Sequence, residues 1–165
     1  MNKNGIHVVS RGIIVDQGHI LLAYDPRPHP FHYYKLNRHF YYLPGGHIEF
    51  QESAHTALIR EIKEETGLDA EIEQFLGIIE HAWSFPGDEI CCHTHEINMI
   101  FKIRITGLSL GDTVPQKEDH VAFAWMPLAH VQAIDVRPLP LLSALPQWLA
   151  GNDHGKFYTT IKQSD

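Results

Sequence analysis

The stretch Gly45 to Leu68, GGHIEFQESAHTALIREIKEETGL, constrains this chain more than any other, because it packs five glutamates and an arginine into one loop and one helix. Ser53 reads as an N-cap ahead of Ala54, the run to Thr66 lacks Gly and Pro, and Gly67 stands where a helix stops. The spacing predicts a helix over 54–66. Within it Glu61, Glu64 and Glu65 fall at i, i+3 and i+4, so at about 100° per residue the three carboxylates share one side. Like charges on one face repel, and the nearby cations, Arg60 and Lys63, are expected to point away from the centre of the trio. Magnesium or manganese suits such a group, since hard divalent ions take oxygen ligands. The bland alternative is an acidic solvated helix face, and a bare ExxEE favours it.

The longer spacing reverses that preference. Gly46 is followed by five positions and Glu52, then seven positions and Arg60-Glu61-Ile62, then one position and Glu64-Glu65, then one position and Gly67-Leu68. Every fixed place of GX5EX7REUXEEXGU, with U a bulky aliphatic residue, is filled, and on that motif the chain resembles a Nudix hydrolase. Gln51 precedes Glu52 where relatives often carry Gly, at a position the signature leaves free.

The resemblance implies an α/β/α sandwich with a central mixed β-sheet. It covers most of the chain, from a leading hairpin through Leu43-Pro44-Gly45-Gly46 and the box to Trp125-Met126-Pro127-Leu128. It also implies roles. Glu61, Glu64 and Glu65, with the Gly45 carbonyl, would ligate Mg2+ or Mn2+, while Arg60 pairs with Glu52 and fixes the loop against the helix. The general base would be Glu64, with Glu118 as the outside candidate, because related enzymes often bring an extra carboxylate ligand from a loop before the last central strand. Asp119 is adjacent, and a solvated KED turn is the bland reading of both.

At 165 residues the chain is expected to be a single domain, 1–165, with 1–5 and 151–165 as loosely attached tails. A formal charge of -7 argues against a nucleic-acid partner and an anionic membrane surface. An acidic protein still holds a polyphosphate when metal ions stand between the two sets of charge. The two cysteines, Cys91 and Cys92, are neighbours and poorly placed for a disulfide. No apolar run reaches a membrane span, and the N-terminus is broken by His7 and Arg11 before a signal-like core forms, so a cytoplasmic location is expected. The family often dimerises, which leaves a homodimer open.

Along the chain, Ile6 to Val15 and His19 to Tyr24 read as a hairpin about Asp16-Gln17-Gly18, and Asp25 to Arg38 as a long loop. His39 to Leu43 is expected as a short strand, and Ala70 to Ser84 as a long one bent at Gly77. Glu96 to Thr106 alternates most clearly, with Ile97, Met99, Phe101, Ile103 and Ile105 on one face and Ile100 as the exception. Val121 to Met126 is a further strand, Leu139 to Ala150 a short apolar helix interrupted by Pro146, and Phe157 to Ile161 an edge strand.

Substrate candidates lie outside the box. Tyr33, Lys35 and Arg38 sit in an aromatic window interleaved with cations, suited to stacking on a base and reaching phosphates; each aromatic reads equally well as core. Glu96, with His95 beside it, is a substrate candidate, although a satisfied structural histidine is the favoured reading of His95. His93, His95, Cys91, Cys92, His81 and His120 match no closed four-ligand zinc pattern. The function implied is Mg2+-dependent cleavage of a phosphoanhydride in a nucleoside diphosphate linked to another moiety, as in a nucleotide sugar such as ADP-ribose, a nucleoside triphosphate or a dinucleoside polyphosphate. The alternatives are a non-hydrolytic nucleotide-binding regulator on the same fold and, behind it, an isoprenoid diphosphate isomerase.

Overall fold

A computed structural model describes residues 5–27, 40–82 and 95–161. Its strands are β1 (Ile6–Ile13), β2 (Val15–Asp16), β3 (His19–Tyr24), β4 (Gly45–His47), β5 (Ala70–Ala82), β6 (His95–Ile105), β7 (Ala122–Pro127) and β8 (Lys156–Thr159). The helices are α1 (Ala54–Thr66) and α2 (Leu141–Leu149), with a 3-10 turn over Leu128–Ala133. The larger sheet is mixed, in the order β4-β1-β6-β5-β8, with β1 parallel to β6 and β5 parallel to β8. The smaller is antiparallel, β2-β3-β7.

Two apolar cores explain the layering. On one face of the larger sheet, Leu58 and Ile62 of α1 pack with Phe101, Ile103 and Ile105. On the other, Leu141, Ala144, Leu145 and Trp148 of α2 pack with Leu76, Ile79 and Ile100. The architecture is the expected α/β/α sandwich. Ile100 breaks the alternation of β6 because the sheet is covered on both sides: it is fully buried under α2 while Phe101 is buried under α1.

Several local expectations change. The leading segment is not one hairpin, because β1 enters the larger sheet between β4 and β6 and only Val15 and Asp16 pair back onto β3. A run rich in β-branched residues has the same pattern in either partnership, so the sequence does not choose between them. The expected strand before the glycines shrinks to single bridges at Tyr41 and Tyr42, and the strand proper is β4, formed by Gly45, Gly46 and His47. Gly77 does mark a break, with register shifts at Ile72/Gln74 and Phe75/Gly77. A Cβ there would stand 2.9 Å from Trp148 Cζ2, so the bend also admits α2. Within the 151–165 tail, Lys156–Thr159 pairs with β5. Among the described residues no helix is long and apolar enough to cross a membrane.

Candidate active site

The box helix starts and stops where its sequence dictates. Ser53 Oγ accepts from the Thr56 N–H at 3.1 Å, and Gly67, at φ 76°, closes the end with its N–H on Lys63 O. Leu58 and Ile62 dock α1 on the sheet, which turns Glu61 and Glu65 toward β4. Glu65 is 4% exposed and accepts from the Gly45 N–H at 3.3 Å. Glu61 lies against Gly46, where a Cβ would come within 2.6 Å of its Oε1. At Gly45, φ is +113° and a Cβ would meet Ser10 O and Leu58 Cδ1, so glycine is required twice over.

Arg60 contradicts the expectation that it points away from the trio. Its Nε and Nη2 fork onto Glu52 at 2.9 and 3.0 Å, and its Nη1 reaches Glu61 at 3.1 Å and Glu64 at 3.0 Å. Nη2 also donates to His47 O at 3.0 Å. A guanidinium carries five donors in one plane, enough to serve a loop and two glutamates together. Lys63 does turn away, to Asp69 at 2.8 Å.

Arg11 is a site residue that the motif does not mark. From β1 its guanidinium donates to Gly45 O and to Leu43 O, and it lies 5.3 Å from the centroid of the Tyr42 ring. Only the β1–β4 pairing, invisible in the sequence, brings it there.

The electrostatics fit a cation-binding role for the two inner carboxylates. Burial pushes Glu65 up to about 7, with the Arg11 charge and the Gly45 N–H opposing. Burial also raises Glu61, against the Arg60 charge. The Arg60 bonds hold Glu52 below the usual carboxylate range. Two carboxylates whose charged forms are unfavourable would suit a hard divalent ion. Among the described residues no three His, Cys, Asp or Glu side chains are gathered for a metal; Glu61 lies against Gly46, Glu65 on the Gly45 N–H, and Glu64 is half-exposed on Arg60.

Glu118 comes close to this centre. Lys117 N–H donates to Glu65 O at 2.9 Å, the Glu118 charge contributes to the upward shift of Glu65, and its carboxylate pairs with His120 at 3.2 Å. Asp119 acts electrostatically on Arg27 instead. Glu96 and His95 part company: Glu96 pairs in register with His7 and His81, whereas His95 bonds Glu80 at 3.1 Å. Tyr33, Lys35, Arg38, Cys91, Cys92 and His93 lie outside the described residues.

The NUDIX domain family model matches residues 6–145. The chain belongs to the Nudix hydrolase family. It is 36% identical over 78 residues to an ADP-ribose pyrophosphatase of Methanocaldococcus jannaschii, covering 46% of this chain and 43% of that protein. It is 28% identical over 127 residues to the human 8-oxo-dGDP phosphatase NUDT18, covering 77% of this chain and 34% of that protein. The chain thus spans less than half the length of these curated relatives. The fold recurs in a Nudix hydrolase from Nitrosomonas europaea, at TM-score 0.66 and 20% identity over 92% of this chain and 93% of that one. It recurs in the E. coli ORF135 protein at TM-score 0.61 and 23% identity, over 92% and 96%.

Proposed function

We propose that this Nudix hydrolase is Mg2+- or Mn2+-dependent and cleaves the phosphoanhydride of a nucleoside diphosphate linked to another moiety. Nucleotide sugars, nucleoside triphosphates and dinucleoside polyphosphates all satisfy that description. The carrying observation is Glu65, buried on the Gly45 peptide with its carboxylate pushed up to about 7. The names of the matched relatives, an ADP-ribose pyrophosphatase and an 8-oxo-dGDP phosphatase, point to the same bond type.

Glu61, Glu65 and the Gly45 carbonyl would hold the ion. When bound, it supplies charge screening of the diphosphate and a water of lowered pKa. Arg60 keeps Glu52, His47 O and Glu61 in one rigid set, so the loop and helix present their oxygens together. Glu64 takes the proton of the attacking water, with Glu118 as the second candidate for that step. The Arg11 charge lies near Glu61 and Glu65 and offsets their repulsion.

A product screen over a panel of nucleotides, with Mg2+ and Mn2+ compared, tests the proposal. Cleavage at a diphosphate that stops on metal removal, and falls about a hundredfold or more in Glu65→Gln, is the expected outcome. Metal-independent turnover, or parent-like turnover by the variant, would overturn it.

A further inference from the structure

Two guanidinium groups stand at the box, and they are held in different ways. Arg60 forks onto Glu52 and touches Glu61 and Glu64, so its charge is matched by carboxylates in direct contact. Arg11 donates to two backbone carbonyls, Leu43 O at 3.2 Å and Gly45 O, and lies 5.3 Å from the centroid of the Tyr42 ring. Among the described residues no carboxylate accepts a hydrogen bond from it. Burial pushes Tyr42 up to about 12 and keeps the phenol neutral, so the ring offers Arg11 a π face and no counter-charge.

The negative charge that Arg11 does face is one peptide away. The strand register pairs it with Gly45, whose N–H donates to Glu65 Oε2 at 3.3 Å. Burial raises Glu65, and the Arg11 charge is the foremost opposing influence, ahead of the Gly45 N–H. Burial likewise raises Glu61, opposed by Arg60 and then by Arg11. The oxygens proposed for a divalent ion are those of Glu61, Glu65 and the Gly45 carbonyl. Arg11 already sits on the last of these and acts on the other two through its field.

We infer that Arg11 is a built-in counter-cation, which holds Gly45 O and screens Glu65 in the metal-free protein and yields that oxygen when a divalent ion binds. The inference rests on the proposed metal set and adds what the ion has to displace. On one carbonyl oxygen, an ion at about 2.1 Å and a donor nitrogen at about 2.9 Å would stand roughly 4 Å apart. Like charges at that separation repel strongly in a partly buried site. Leu43 O and the Tyr42 ring can keep the guanidinium anchored while Gly45 O changes partner, so the exchange needs no movement of β1.

Two opposite effects then come from one side chain: Arg11 steadies the metal-free site and weakens its hold on the metal. Arg60 has the other sign, because its contacts gather the oxygens of the loop and the helix and favour metal binding.

Mn2+ binding to the whole chain without nucleotide, followed by calorimetry and by the electron spin resonance signal of the free ion, tests this. Arg11→Gln keeps a donor for Gly45 O and removes the charge, and is expected to bind Mn2+ about tenfold or more tighter than the parent. Arg11→Lys keeps the charge and should stay close to the parent. In EDTA, Arg11→Gln should melt below the parent, and saturating Mn2+ should close the gap, because the tighter binder gains more from the ion. A side chain that only braces β4 predicts the reverse, weaker Mn2+ binding and a gap that persists. Unchanged or weaker Mn2+ binding by a folded Arg11→Gln, or equal tightening in Arg11→Lys, would overturn the inference. Should Arg11→Gln not fold, nitrogen-15 spectra of the parent's arginine side chains decide: Mg2+ should shift the Arg11 signal, assigned through Arg11→Lys, and a silent signal counts against the exchange. Mn2+ binding and nucleotide turnover by the parent, with no tightening in Arg11→Gln, would sink this inference alone. Tightening without turnover of any nucleotide would sink only the proposed reaction, and a parent that binds no Mn2+ would sink both.

Discussion

Arg60 holds Glu52 by a two-pronged contact, Nε to Oε1 at 2.9 Å and Nη2 to Oε2 at 3.0 Å, across eight residues of sequence. The same guanidinium touches Glu61 and Glu64, so the spacing of the box is the spacing of one cation's ligands. Lysine keeps the charge and loses the planar fork. Arg60→Lys is expected to lower kcat by about tenfold or more and to raise the metal concentration needed for half-maximal rate, with circular dichroism unchanged. Metal titrations of the rate check this; a parent-like metal requirement would remove Arg60 from the ligand-positioning role.

Gly46 offers a cleaner perturbation. Its backbone does not need a positive φ, yet a methyl group there would collide with both carboxylate oxygens of Glu61. Gly46→Ala should therefore fold and displace Glu61, lowering kcat about a hundredfold in the proposed reaction. Gel filtration and far-UV circular dichroism should match the parent while turnover falls.

The box itself was legible because its geometry is local. One helix and its adjoining loop carry Glu52, Arg60, Glu61, Glu64 and Glu65, and helical periodicity alone aligns the last three. Arg11 was illegible because its place depends on β1 pairing with β4. The split between Glu96 and His95 needed only strand alternation, whereas the proximity of Glu96 to His81 depends on the β5–β6 register beyond the Gly77 break. The turn of Arg60 onto the glutamates was misread because helix-face geometry places Cβ atoms and leaves the end of a long side chain unspecified.

Glu65 makes metal-free stability depend on pH. Its folded value of about 7 lies above the ordinary 4.5, so its contribution is complete below about 4.5 and is lost as pH rises through about 7. A shift of this size corresponds to on the order of 3 kcal/mol. Glu61 moves in the same direction. His81, depressed by burial, acts oppositely: its contribution is present above about 6.5 and lost at lower pH, so a variant comparison is needed to isolate the glutamate. In EDTA, Glu65→Gln should melt higher than the parent at pH 8 and lose that advantage toward pH 5. Added Mg2+ should raise the parent's Tm more at pH 8 than at pH 6, and the variant's by far less.

In the proposed reaction, two differently placed glutamates are candidates for the general base. Glu64 projects from α1, half-exposed, and rests on Arg60 at 3.0 Å. Glu118 sits on the segment tied to α1 by the Lys117 N–H to Glu65 O bond, and pairs with His120 at 3.2 Å. Glu64 shares a helix face with Glu61 and Glu65, so in the proposed reaction it would stand beside a water on the ion that they would hold. Glu64→Gln is expected to lower kcat about a hundredfold or more with little change in KM at saturating metal. Glu118→Gln should lose rate mainly at limiting metal, because its carboxylate would only add to the charge around Glu65. If Glu118→Gln instead loses about a hundredfold at saturating metal while Glu64→Gln is rescued by added metal, the base lies on the loop and Glu64 belongs to the metal set.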